Sequence, residues 1–220
     1  MNYKIIRSRR RTLGLEITRD AQLIIRAPER ASLGYIKNII QKKRSWIEQK
    51  QKTASNRYKR LIPKEFVNGE GFLFLGETYR LSIEDIEYPP LTLGKEFRLS
   101  RQYLCEAKKV FIEWYRKEAY KKIEERLNWH SYLSGLKYSK FNITGARKRW
   151  GSCSAKGNLY FSWRLIMAPL GVIDYVVVHE LAHLEERNHS RNFWDKVKTL
   201  MPDYKKYRHW LKDNEHTMII

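Results

Sequence analysis

The rhythm of apolar positions changes along the chain. Leu13, Leu15 and Ile17 alternate with smaller or polar residues, and Leu23-Ile24-Ile25 returns after Arg19-Asp20-Ala21, which predicts a hairpin over residues 12–26. Pro28 ends that strand. Ser32 can then cap a helix in which Leu33, Ile36, Ile40, Trp46 and Ile47 recur roughly on one face. Residues 48–60 are rich in Gln, Lys and Arg and read as a linker or an exposed helix end. Period two resumes with Phe72–Leu75, a Gly76-Glu77 turn and Tyr79–Ile83, and a short hairpin is expected around Gly94 after Pro89-Pro90.

From about Arg101 to Trp129 the period becomes helical, with Leu104, Phe111, Trp114, Tyr115, Glu118 and Leu127 on one stripe. Phe141 and Ile143, then Leu159 and Phe161, predict short strands on either side of a Gly151–Gly157 loop. A helix is expected from Pro169 to about Asn188, followed by helices over 190–201 and 203–213. The fold class is therefore α+β. It divides into a β-rich N-terminal region with one helix, residues 1–100, and a helix-rich part with a small sheet, residues 101–220.

Composition supports a folded core: 42% of the residues are hydrophobic, and Trp, Tyr and Phe number seven, fourteen and eight. The N-terminus turns basic at once, so no secretory signal is expected, and no apolar run approaches the length of a membrane span. Cys105 and Cys153 form no CxxC pair, which argues against a disulfide framework and for a soluble, cytoplasmic protein. A net charge of +20, from 44 Lys+Arg against 24 Asp+Glu, favours encounter with polyanions such as nucleic acid, or with an acidic membrane surface. The cations are spread along the chain without one dominant cluster, so an ordinary solvated surface accounts for them equally well.

The chemistry concentrates in the run from Asp174 to His189. His179 and His183 are spaced i, i+4, so a helix projects both from one face toward a common point. Glu180 is turned about 100° around the axis from the first His, which puts it beside a metal rather than on it, where it can take a proton from water. The flanking Tyr175-Val176-Val177-Val178 and Leu181-Ala182 predict a buried helix, where unpaired polar groups are expensive and a metal would supply a reason for them. Catalytic zinc takes three protein ligands. His189 can be the third if the chain turns at Asn188 and Ser190 caps the next helix; Glu185 and Glu186 are the carboxylate alternatives.

Four stretches carry a family resemblance: Arg149–Ser154 with Lys156-Gly157 and Asn158–Trp163; Ile173–His183; Asn188-His189-Ser190 with Phe193-Trp194; and Met201–Lys205. On these the chain resembles the YgjP-like metallopeptidases, small HExxH zincins, and the N-terminal strands, the Trp46-Ile47 helix end and the Gly71–Gly76 hairpin extend the likeness over nearly the full length. The resemblance implies a minimal zincin core, Zn2+ on His179, His183 and His189, and hydrolysis of a peptide or protein substrate. It also implies kinship with proteases that act on DNA-associated proteins. The metzincin pattern shares the His-to-His spacing but has Gly where this chain has Glu186.

Arg147 and Arg149 are candidates for binding a substrate carboxylate or an oxyanion, and Tyr204 and His209 are further oxyanion candidates. The strand Asn158–Trp163 is the expected sheet edge for an extended substrate. Trp150 reads as a core anchor, Cys153 as a small buried thiol, and His130 and His216 as surface residues without partners. The rival readings are a nucleic-acid-associated protein whose zinc is structural, and a zinc hydrolase acting on a non-peptide bond.

Overall fold

The structure, a computed structural model, describes residues 3–18, 21–59 and 64–220. They form two compact units, residues 1–62 and residues 63–220. The boundary between these units lies at residue 62, whereas the pattern of strands and helices divides the chain near residue 100. Residues 64–100 form a sheet whose Phe72 and Phe97 are buried against Phe111 of the long helix that follows, so they share its core.

The first unit is a three-stranded sheet with two helices. Strand β1 (Tyr3–Ser8) pairs parallel to β3 (Leu23–Pro28), which pairs antiparallel to β2 (Gly14–Ile17). The predicted hairpin is thus present, joined by a strand that the sequence reading missed; its Arg19-Asp20 turn lies outside the described residues. Helices α1 (Leu33–Lys42) and α2 (Arg44–Lys59) follow. Ser32 caps α1 by accepting from the Tyr35 amide. Of the two readings of residues 48–60, a linker or an exposed helix end, the helix holds: α2 runs to Lys59, after a break at Lys43. Ile36 and Ile47 are buried with Leu23, Ile25 and Ala27, whereas Leu33 and Trp46 are exposed.

In the second unit β4 (Gly71–Phe74), β5 (Glu77–Glu84), β7 (Phe97–Ser100) and β6 (Leu91–Leu93) form one mixed sheet in that order. Helix α3 (Ala107–Ser134) begins after a 3-10 turn and ends at Gly135, in the left-handed conformation. Its buried stripe is Ala107, Phe111, Tyr115, Ala119, Ile123 and Leu127, a four-residue repeat that leaves Leu104 exposed. A second sheet has the order β8-β10-β9, from β8 (Lys140–Thr144), β9 (Gly151–Cys153) and β10 (Asn158–Ser162). Strand β10 is therefore central, paired on both sides, and the expected edge at Asn158–Trp163 is corrected: β9, inside the predicted loop, is an edge.

Helix α4 (Leu170–Ala182) is buried on nearly every side, as its Val and Leu run requires, and packs on α3 and on α6. It stops at Ala182 rather than near Asn188. Helices α5 (Arg191–Leu200) and α6 (Tyr204–Asn214) complete the unit, with Ser190 capping α5 through the Phe193 amide. The start of α4 is pinned by the β4–β5 turn, where the amides of Leu75 and Gly76 donate to the carbonyls of Ile166 and Met167. Gly76 has φ +88°, and a Cβ there would lie 2.7 Å from the Pro169 ring, so both conformation and space call for glycine. Among the described residues no helix is long and apolar enough to cross a membrane.

Candidate metal centre

Three imidazoles meet at the C-terminal end of α4. His179 lies in its last turn, His183 is its C-cap, and His189 comes from the loop before α5. One ring nitrogen from each falls within 4.8 Å of the other two, and Nε2 of His179 is 3.0 Å from Nε2 of His189. Ligand atoms about 2.0–2.1 Å from a tetrahedral ion stand roughly 3.3 Å apart, so this spacing suits a shared ion. The helix stops where it does for a reason that serves the site. His183 Nδ1 and the Glu186 carbonyl are 2.9 Å apart, so a proton on Nδ1 donates to that carbonyl and leaves the Nε2 lone pair free. Glu185 pairs with Lys196 instead of joining the cluster.

The surroundings of two of these rings favour the neutral form. Burial, then the neighbouring His183, His189 and Arg208, lower the His179 pKa to about 3. Burial, His183 and Arg208 also lower that of His189. Neutral imidazole is the form that binds metal, and the donor set of three nitrogens without a thiolate or carboxylate suits a borderline ion. The Phe193 ring lies 4.5–4.9 Å from all three imidazoles, and Trp194 stacks on His189 at 5.7 Å. These aromatics hold the rings where α5 begins.

Glu180 is 4% exposed, and its Oε2 has no hydrogen-bond partner. Burial pushes its pKa up to about 8, opposed by the charge of Arg149. The carboxyl rests on the backbone of β9: a Cβ on Gly151 would lie 2.6–2.7 Å from Glu180 Cγ and Cδ. Together the Gly151–Ala155 segment, the three His, Glu180 and Arg187 line a cleft of about 320 Å³.

Of the other sequence candidates, exposed Arg149 is electrostatically felt by Glu180, while exposed Arg147 acts on Arg164. Tyr204 is buried, stacked between Tyr175 and Trp194. His209 is exposed and sits 3.1 Å from the Asp213 carboxylate one turn on. Trp150 packs on the core as expected, and Cys153 is half-buried with its thiol pKa raised by burial and by Glu180. His216 is half-buried, and His130 is not a free surface residue: its Nε2 is 3.1 Å from Asp174 in a part-buried cluster with Arg126. Arg187 and Arg208 escaped the sequence reading because only the folded chain brings them to the His cluster. Gly151 was legible as a loop residue but not as the floor under Glu180.

A family model described as "YgjP-like, metallopeptidase domain" matches residues 11–214. A search of curated proteins found no match. Among solved structures, the metallopeptidase zymogen abylysin of Pyrococcus abyssi is similar at 21% identity, covering 44% of this chain and 99% of that one, with a TM-score of 0.39.

Proposed function

The chain belongs to the YgjP-like metallopeptidase family, and from that premise we propose that it hydrolyses peptide bonds with Zn2+ on His179, His183 and His189 and with Glu180 as general base. The observation that carries this reading is a buried carboxyl with an unpartnered oxygen beside three converging imidazoles. A carboxyl so placed costs stability with no structural return, which is the usual mark of a group kept for reactants.

When bound, zinc supplies Lewis acidity toward the scissile carbonyl and makes attacking water more acidic. Glu180 takes the water proton and later gives it to the leaving amine. Gly151 keeps the carboxyl close to β9. Strand β9 ends its sheet and Gly151–Cys153 line the cleft, so the substrate extends along β9 as an added strand. Of the oxyanion candidates, Arg149 is the one whose charge reaches Glu180, and it is assigned to the developing negative charge.

The test compares wild type with Glu180→Gln for bound zinc and for cleavage of denatured casein. Both proteins are expected to hold stoichiometric zinc, and the variant to lose about 10²–10⁴-fold in hydrolysis. A zinc-loaded Glu180→Gln protein with full activity sinks the mechanism. Zinc-dependent turnover of small amides with intact casein favours the non-peptide hydrolase instead.

A further inference from the structure

The boundary at residue 62 changes the meaning of the net charge. Seventeen of the 44 Lys and Arg but only four of the 24 Asp and Glu fall in residues 1–62, a net +13 against +7 for residues 63–220. The first unit is both richer in cations, 17 in 62 residues against 27 in 158, and poorer in acids, 4 against 20. Of those four acids, Glu16 and Glu48 are already paired with Arg26 and Arg44.

Helices α1 and α2 present much of the excess. Lys37, Lys42, Lys43 and Lys50 are exposed and form no ion pair among the described residues. Lys37, Gln41, Arg44, Glu48 and Gln51 of the two helices form a polar stripe, with the half-buried Ile40 among them and Ile36 and Ile47 buried in the core. That stripe, with Tyr3 of β1, lines an open groove of about 590 Å³. Exposed aromatic rings lie next to cations in the sequence: Tyr3 beside Lys4, Tyr35 two before Lys37, and Trp46 two after Arg44. Tyr3, Tyr35 and Trp46 are 37%, 53% and 40% exposed, although a small unit with five fully buried core residues would gain by burying them.

We propose that the first unit binds single-stranded nucleic acid, with Lys37, Lys42, Lys43 and Arg44 on the phosphodiester backbone and the exposed rings stacking on unpaired bases. Mobile strands supply the two things this surface offers partners for: a line of negative charge and open base faces. Flat anionic surfaces and acidic proteins offer the first only. The proposal is independent of the peptidase reading, since none of its residues belongs to the metal centre.

Fluorescence anisotropy with the full-length protein tests it, using a labelled oligonucleotide as a single strand and as a duplex. Unlabelled polyglutamate and phosphatidylserine vesicles serve as competitors. The single strand is expected to bind more tightly than the duplex, with an affinity that falls steeply between about 50 and 200 mM salt. Lys37→Ala/Lys42→Ala/Lys43→Ala should lower the log–log salt slope by about 3 and affinity at least tenfold, with casein hydrolysis unchanged. The equally exposed Lys95→Ala/Lys108→Ala/Lys117→Ala of the second unit should leave the slope within about 1 of wild type. Trp46→Ala should narrow the gap between single strand and duplex. Tighter duplex binding, competition by polyglutamate or vesicles at equal charge, an equal loss in the second triple variant, or no binding at the lowest salt each overturns the proposal.

Discussion

Helix α4 carries two acidic residues six positions apart, and they live in opposite circumstances. Asp174 is 13% exposed, accepts from Arg126 at 2.6 and 3.2 Å and has His130 Nε2 at 3.1 Å. Burial pushes its pKa up, but His130 and Arg126 together outweigh that and hold it below the usual carboxylate range. Glu180, at 4% exposure, has an unpartnered oxygen and a pKa near 8. Burial raises both, Glu180 being the more deeply buried, and at Asp174 the partners reverse the sign. A matched buried carboxylate fastens α4 to α3. An unmatched one adds nothing to the fold, and its freedom is what a reacting group needs.

Glu180→Gln probes this contrast with the largest effect on activity. Beyond the loss of hydrolysis, the amide keeps the side chain's shape while removing a buried acid, so the chelated variant should melt at the same temperature as chelated wild type or a few degrees higher. Thermal melts with and without zinc check this. A variant that melts well below wild type in both conditions makes Glu180 a structural group and dissolves the contrast.

Gly151→Ala tests whether the unmatched carboxyl must also be positioned. The added methyl would collide with Glu180 Cγ and Cδ, and the side chain must shift by some tenths of an ångström or more. Small displacements of a general base reduce turnover steeply, so kcat is expected to fall about ten- to hundredfold with zinc content and KM little changed. A loss of zinc in step with activity would instead place the damage at the His cluster.

How far the two ends of α4 were legible in sequence follows the same division. The i, i+4 spacing of His179 and His183, and the position of Glu180 beside them, are local properties of a helix and can be read from order alone. The capping of α1 by Ser32 and of α5 by Ser190 belongs with these. What escaped is long-range. Asp174 meets Arg126 and His130 from 48 and 44 positions away, so His130 looked partnerless. The edge strand β9 is three residues long inside a glycine-bounded loop, too short to show a period, whereas the apolar alternation of β10 is the visible signal although that strand is central. The end of α4 at Ala182 was hidden because Leu184 and the Glu pair after it are good helix formers; the Glu186 carbonyl is turned back to His183 instead. The charge imbalance needed the unit boundary before it could be seen.

Asp174→Asn asks the converse question at the matched end, and its effect on catalysis should be the smallest. The amide retains one acceptor but removes the charge opposite Arg126, a group with only 19% side-chain exposure. At pH 7 this should lower unfolding free energy by about 1–3 kcal/mol and leave kcat within about threefold of wild type, as the residue touches no part of the cleft. The sign with pH follows from the lowered pKa of Asp174 in the folded chain. Its ionised form stabilises the protein above the unfolded-state value of about 3.9, and that contribution disappears as pH falls through the folded value. Denaturant melts from pH 7 to about pH 2.5 should therefore show wild type and Asp174→Asn converging on the acid side. Parallel curves with a constant gap would mean that the helix is held by the shape of this contact and not by its charge.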